Sequence, residues 1–170
     1  MSFWRKQMIR ISENTIANCA FGAAIDFAEK YFKRNEKLPV VGELVSRSDT
    51  VSSFHVVLDT RDFSQFHTAL EVESVLTGSI PYTTFVGVLT VRPHFNGCAL
   101  SLEGLFNTTL PGPSHVSFGE TMARESSIAM VRSLLHKIVA SIESDWQQFI
   151  RQSPDFDSLN RRNERQKLPA

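Results

Sequence analysis

The residues best able to bind a metal or move a proton near neutral pH are five histidines: His55, His67, His94, His115 and His136. Their spacing matches no zinc pattern, and no cysteine pairs with them to complete one. His94 and His115 flank one strand-like segment and could approach each other, although loop histidines are most often solvated. Cys98 follows Asn96-Gly97 close to His94, the composition of a thiol nucleophile and its base. A free thiol at a strand end is the simpler reading. Glu71 and Glu73 are two residues apart, and paired carboxylates do acid–base work when their surroundings separate their pKa values. Here they alternate against Leu70, Val72 and Leu76, which puts them on an outward, solvated face. Glu103 likewise opposes Leu100 and Leu102. No nucleophile elbow, phosphate-binding loop, dinucleotide fingerprint or H-E-x-x-H motif occurs. These residues assemble no catalytic set, and neither a metal nor a cofactor is expected.

Three polar residues fit a different role. Ser74 falls on the apolar side of its segment, between Val72 and Leu76, where a hydroxyl either bonds locally or meets a ligand. Tyr82 and Arg92 bound a long apolar segment and could anchor a ligand carboxylate or hydroxyl. The bulk composition agrees with an apolar interior. Of 170 residues, 42% are hydrophobic and 21% charged, the balance of a globular domain. Thirteen Phe against two Tyr supply apolar area without a polar handle, suited to a core or a cavity lining. Zero formal net charge removes the general electrostatic footprint of a nucleic-acid binder. Two cysteines, Cys19 and Cys98, are too few for a disulfide framework and read as buried free thiols. No apolar run is long enough to span a membrane, so stable membrane insertion is not expected, and the reading is a cytoplasmic protein.

The elements that would position these residues follow from periodicity. Residues 3–12 alternate in part, with Ile9 and Ile11 on one side, and read as a first strand. Ser12 is placed to cap a helix over 13–34, whose stripe is Ile16, Ala20, Ala23, Phe27 and Tyr31; Pro39 blocks its continuation. Beyond residue 40 the period becomes two. Strands are expected in PVVGELVSRSD, with a bulge at Gly42, and in SSFHVVLDT, FHTALEVESVLTG, PYTTFVGVLTVRP and CALSLEGLF. Asn96-Gly97 is a hairpin signal. Short connections make the sheet antiparallel. Ser117 and Glu120 match a capping box, and Ile128, Val131, Leu135, Ile138, Ile142, Trp146 and Phe149 form one stripe of a helix over 118–152. Pro154 ends it, and residues 153–170 read as a polar, flexible tail.

This order, with LSLEGLF, then NTTLPGPSHVSFG, then RESSIAMVRSLLHKIVASIE, resembles the START-like (SRPBCC) superfamily, which includes the birch pollen allergen and polyketide cyclases. The resemblance is closest from Cys98 to about Glu143. It implies an α+β helix-grip fold for residues 1–152: a curved antiparallel sheet of six to seven strands wrapped around the long C-terminal helix. It also implies a cavity for a hydrophobic small molecule such as a lipid, sterol or aromatic polyketide. The lining would come from Phe54 and Val56, from Leu70, Val72 and Ser74, from Tyr82 and Phe85, from Leu100, Leu102 and Phe106, and from Ile128, Val131 and Leu135. The uncharged loop 107–117 would form the mouth, where Asn, Thr and Ser cost an apolar ligand less desolvation than charges do. The chain departs from the family in its single long first helix and in showing six clear strands where the fold has seven.

Three readings follow. The leading one is a binding module for a hydrophobic small molecule. The second is a cyclase or aromatase on the same fold, which needs an inward ionisable group; His55, Glu71 and Glu103 all read as outward. The third is a protein-interaction module, with Trp146, Phe149 and Ile150 of the last helix packing on a second copy to give a homodimer.

Overall fold

The structure is a computed structural model that describes residues 4–34, 40–59, 83–111 and 117–153. In chain order it has strand β1 (Trp4–Ala17), helix α1 (Phe21–Arg34), strands β2 (Val40–Arg47), β3 (Ser52–Asp59), β4 (Thr83–His94) and β5 (Gly97–Pro111), and helix α2 (Ser117–Gln152). The strands form one open antiparallel sheet in the order β1-β5-β4-β3-β2. Both helices pack on the same face, α2 along β1 and against α1, and α1 over β2 and β4. A long terminal helix held on one face of an antiparallel sheet is the helix-grip arrangement. Among the described residues there are five strands rather than six to seven, and β3 hydrogen-bonds directly to β4, so no strand lies between them. The segment 65–77, expected as a strand, lies outside the described residues.

Alternation sets the inner face. Ile9, Ile11 and Ala17 of β1, Phe54, Val56 and Leu58 of β3, Phe85, Leu89 and Val91 of β4, and Cys98, Leu100, Leu102 and Phe106 of β5 are all buried in one core. From α2, Met130, Val131, Leu134, Leu135, Ile138 and Ile142 close on them, which is the expected stripe widened by one turn position. Phe149, expected on the stripe, is 56% exposed beyond the end of the sheet and stacks on Trp146.

Four local expectations are corrected. The helix predicted over 13–34 starts only at Phe21, and residues 13–17 continue β1, so Ser12 caps nothing. The register explains this: Ile16 and Ala17 pair with Ala99 and Cys98, and this long ladder outweighs the local helical stripe. Ile16 consequently points outward, half exposed, and α1 buries Ala24, Ile25, Ala28, Tyr31 and Phe32, keeping only Tyr31 of the predicted stripe fully inside while Ala23 and Phe27 pack partly buried at its side. The bulge of β2 lies between Leu44 and Ser46, not at Gly42. Gly42 has a different function, since a Cβ there would run into the ring of Phe32. The hairpin loop is Phe95-Asn96, and Gly97 already pairs with His94 as the first residue of β5. Gly97 has φ of 139°, and a Cβ on it would collide with the carbonyl of Ala17. Pro93 is tolerated inside β4 because β3 ends its pairing at Val91, leaving no ladder partner in need of an N–H.

Candidate functional site

The space between sheet and helix is organised by how α2 lies on β1. Arg132 makes a two-pronged contact with Glu13, at 3.1 and 3.2 Å. Farther on, the backbone N–H of Asn18 donates to Oε1 of Glu143 at 2.8 Å. The eleven helix residues and five strand residues between these contacts each advance roughly 16–17 Å, so α2 runs parallel to β1. Glu13 also pushes the Arg132 guanidinium pKa further up, by accepting its hydrogen bonds and by its charge. A third tie, Arg34 to Asp145 at 2.6 Å, fastens α1 to α2. Asp145 is 8% exposed, so the pair holds a largely buried carboxylate.

These ties make one end of the interface closed. There Cys98 sits opposite Ala17, and Cys19 and Cys98 are both buried free thiols. Burial is the main cause that lifts the Cys19 pKa to about 12, helped by the neighbouring Cys98 and Glu143. Burial lifts Cys98 to about 11, partly offset by a backbone hydrogen bond at Ala17. Both thiols are therefore protonated at neutral pH and poor nucleophiles. His94 lines the opposite face of the sheet from Cys98, so the pairing that their sequence proximity permits is not made.

The middle of the interface is filled. The register sets Gly42, Val56, Gly87, Gly104 and Ile11 in one row across all five strands. Glycines at strand interiors mark bends and close approach of other groups, and three in one row lower the inner face along a line. Aromatic rings occupy that line. The Phe85 ring lies over Gly87 and Gly104, and the Phe32 ring over Gly42. Phe32 and Phe54 ring centroids are 5.8 Å apart, and those of Phe85 and Phe106 are 6.3 Å apart. Phe54, Val56, Phe85, Leu102 and Val131 are 0% exposed, which leaves no water-sized space touching them.

Of the expected lining, the structure therefore gathers Phe54, Val56, Phe85, Leu100, Leu102, Phe106, Val131 and Leu135 on one surface, packed in mutual contact. Ile128 is only partly buried against this cluster, one turn nearer the start of α2. Leu70, Val72, Ser74 and Tyr82 lie outside the described residues, as do His67, Glu71, Glu73 and His115. The capping box falls where the helix begins at Ser117. Arg92 is corrected: it points outward, away from α2, so it cannot anchor a ligand on the inner face.

Sequence reasoning missed two features. The first is the inward Glu13, hidden by the misplaced start of α1; it joins Tyr31 of the expected stripe and the two buried free thiols, Cys19 and Cys98, as an inward ionisable group. Burial raises the Tyr31 pKa as well. The second is an open depression of about 680 Å³ on the outer face, with Ser101 and Ala99 as its floor and Ile16, Arg92 and Glu103 among its walls. Small residues in the middle of three outward rows were its signal. His55 and His136 are exposed, and Glu103 is outward as expected, accepting from Ser12 and Ser101. Among the described residues, no three His, Cys, Asp or Glu side chains converge to hold a metal, and no helix is long and apolar enough to cross a membrane.

No protein-family model matches the sequence, and no curated protein does. Solved structures with a similar arrangement include a TBP-like protein from Parabacteroides distasonis ATCC 8503, at 8% identity and TM-score 0.48, covering 80% of this chain and 93% of that one. Ara h 8.0201 follows at 10% identity and TM-score 0.37, covering 84% and 99%. The Zhui aromatase/cyclase from Streptomyces sp. R1128 stands at 7% identity and TM-score 0.32, covering 81% and 94%. At these scores the likenesses carry no weight of their own, and the strand order with both helices on one face is what defines the fold.

Proposed function

We propose that the protein binds a hydrophobic small molecule between its sheet and the first half of α2. The observation that carries this reading is the contrast along the helix. From Arg132 onward it is tied down by Glu13, Asn18 and Arg34, whereas Ile128, one turn before Arg132, stands partly buried against a purely apolar end of the inner face. There the register aligns Ile9, Phe106, Phe85, Leu58 and Val40, with no polar side chain among them. An apolar ligand entering there leaves no buried polar group unpaired. The Phe85 ring, lying on two glycines without a Cβ between it and the backbone, is the side chain whose movement would enlarge the space. Aromatic polyketides, sterols and lipid chains are the ligand class such a lining accepts.

Displacement of an apolar fluorophore, together with native mass spectrometry of protein purified from cells, tests this. A retained apolar mass or a displaceable fluorophore is expected, and Ile128→Glu should weaken uptake about tenfold or more while the far-ultraviolet circular dichroism stays unchanged. No uptake by a folded wild-type protein would remove the reading. Catalysis of the aromatase/cyclase kind gains no support from the inward ionisable groups. Glu13 is committed to Arg132, and Tyr31, Cys19 and Cys98 are held in their neutral forms.

A further inference from the structure

The outward face of the sheet carries an apolar row that neither helix covers. Strand register aligns Arg10, Leu105, Val86, Val57 and Val41 across β1, β5, β4, β3 and β2. Leu105 is 42% exposed, Val86 46% and Val41 62%, and Val88, in the next row, is 42%. That next row reads Ser12, Glu103, Val88, His55, Glu43 in the same strand order. Contiguous apolar side chains on adjacent strands are unlike the isolated surface valines of most monomers.

From this pattern we infer that the outer face is the interface of a homodimer, with two sheets packed face to face about a two-fold axis along β4. β4 is the middle strand of the five, so this axis superposes the sheet on its own mirror order. Val86 then faces the second copy's Val86, and Leu105 faces its Val57. In the next row Val88 meets Val88, and His55 comes opposite Glu103. Arg10 faces Val41 of the second copy, with that copy's Glu43 one row away. Side chains of Arg and Glu together span the roughly 10 Å between packed sheets. Within the chain, Arg10 and Glu43 make no ion pair or hydrogen bond among the described residues. Opposite charges at the two ends of the rows thus approach each other across this axis, which makes the face complementary to a second copy of this chain.

Five strands about 4.8 Å apart and four side-chain rows about 6.7 Å apart give an interface of roughly 500–600 Å² per copy. That is about 1,000–1,200 Å² in total, the lower end of specific interfaces, so dissociation in the micromolar range is expected. Sedimentation velocity on the full chain over a concentration series tests this. The weight-average mass should rise from monomer to dimer and stop there. Val86→Glu should weaken dimerisation at least tenfold without changing the circular dichroism, because the position is exposed in the monomer. Arg10→Glu and Glu43→Arg should each weaken it several-fold, and the double variant should recover most of the loss, which a merely misfolded variant cannot do. A monomer at every concentration overturns the inference. So does a dimer indifferent to Val86→Glu, or one broken by Phe149→Ala instead, which would move the contact to the end of α2.

Discussion

Residues 85 and 86 are neighbours in β4, both large and apolar, yet Phe85 is 0% exposed and Val86 46% exposed. The same contrast separates Leu89 from Val88, and Leu102 and Phe106 from Leu105. Both faces of the centre of the sheet are apolar, and among the described residues helices α1 and α2 lie on one of them. The inner face earns its burial from α1 and α2, which close over rings laid on a glycine line. On the outer face, apolar residues alternate with Ser, Thr, Asn, Glu and Arg at the same spacing, and neither α1 nor α2 covers them. Hydrophobicity alone therefore does not tell which face of a strand is the core. Residue size does so better: the inner face carries Phe and Leu set against glycine, and the outer face carries Val among small polar residues.

Mutations can break this contrast directly. Phe85→Ala should destabilise the fold most, by about 3–5 kcal/mol, because it empties the ring position over Gly87 and Gly104. Val86→Ala, one residue away, should cost under about 1 kcal/mol at monomer concentrations. Chemical denaturation of the two variants side by side reads the difference, and equal losses would erase the distinction between the faces. Gly87→Ala comes next, with an expected loss of about 1–3 kcal/mol. Its new Cβ would meet the Glu103 carbonyl, which no rotamer change can move, as well as the Phe85 ring. Arg34→Ala tests the closed end of the inner face. It strands the largely buried Asp145 and should cost about 1–3 kcal/mol, whereas Arg47→Ala, which breaks an exposed pair with Asp26, should cost under about 1 kcal/mol.

The smallest expected effect is a slope with pH. Cys19 and Cys98 titrate near 9 when unfolded and near 12 and 11 when folded. Between those values the unfolded chain has released protons that the native state retains, so rising pH favours unfolding. Their contribution is complete below pH 9 and disappears as pH rises through about 11–12. Melting temperature should fall over that range, and Cys19→Ala with Cys98→Ala should flatten the curve while leaving the part due to Tyr31, whose pKa is also raised. An unchanged slope in the double variant would mean that the thiols are not at the closed end of the core.

Much of this architecture was legible in the chain. The period of two in β3 and β5 assigned Phe54, Val56, Leu100, Leu102 and Phe106 to one face, and the structure agrees, whereas β4, apolar on both faces, left Phe85 to be placed by the family resemblance alone. The stripe from Ile128 to Phe149 announced α2, and the capping box at Ser117 with Pro154 bounded it to within a residue at each end. Residues 13–17 were misread because Ile16, Ala20 and Ala23 fit a helix, and nothing local announces that β5 is long enough to pair with them. Alternation over 65–77, which lies outside the described residues, says nothing about which strands are adjacent, so the direct pairing of β3 with β4 was not legible. The inward Glu13 went unnoticed because residues 13–17 were read as helix, although it is the residue that aligns α2 on β1.

Side-chain order along each element is a local property, so the sequence alone determined which residues share a face and how long the last helix runs. Pairing partners, the order β1-β5-β4-β3-β2 and the choice of the covered face are long-range properties. They depend on contacts such as Arg132 with Glu13, 119 positions apart, and Arg34 with Asp145, 111 apart. No local window contains both members of such a pair, and only the tertiary structure brings them into reach.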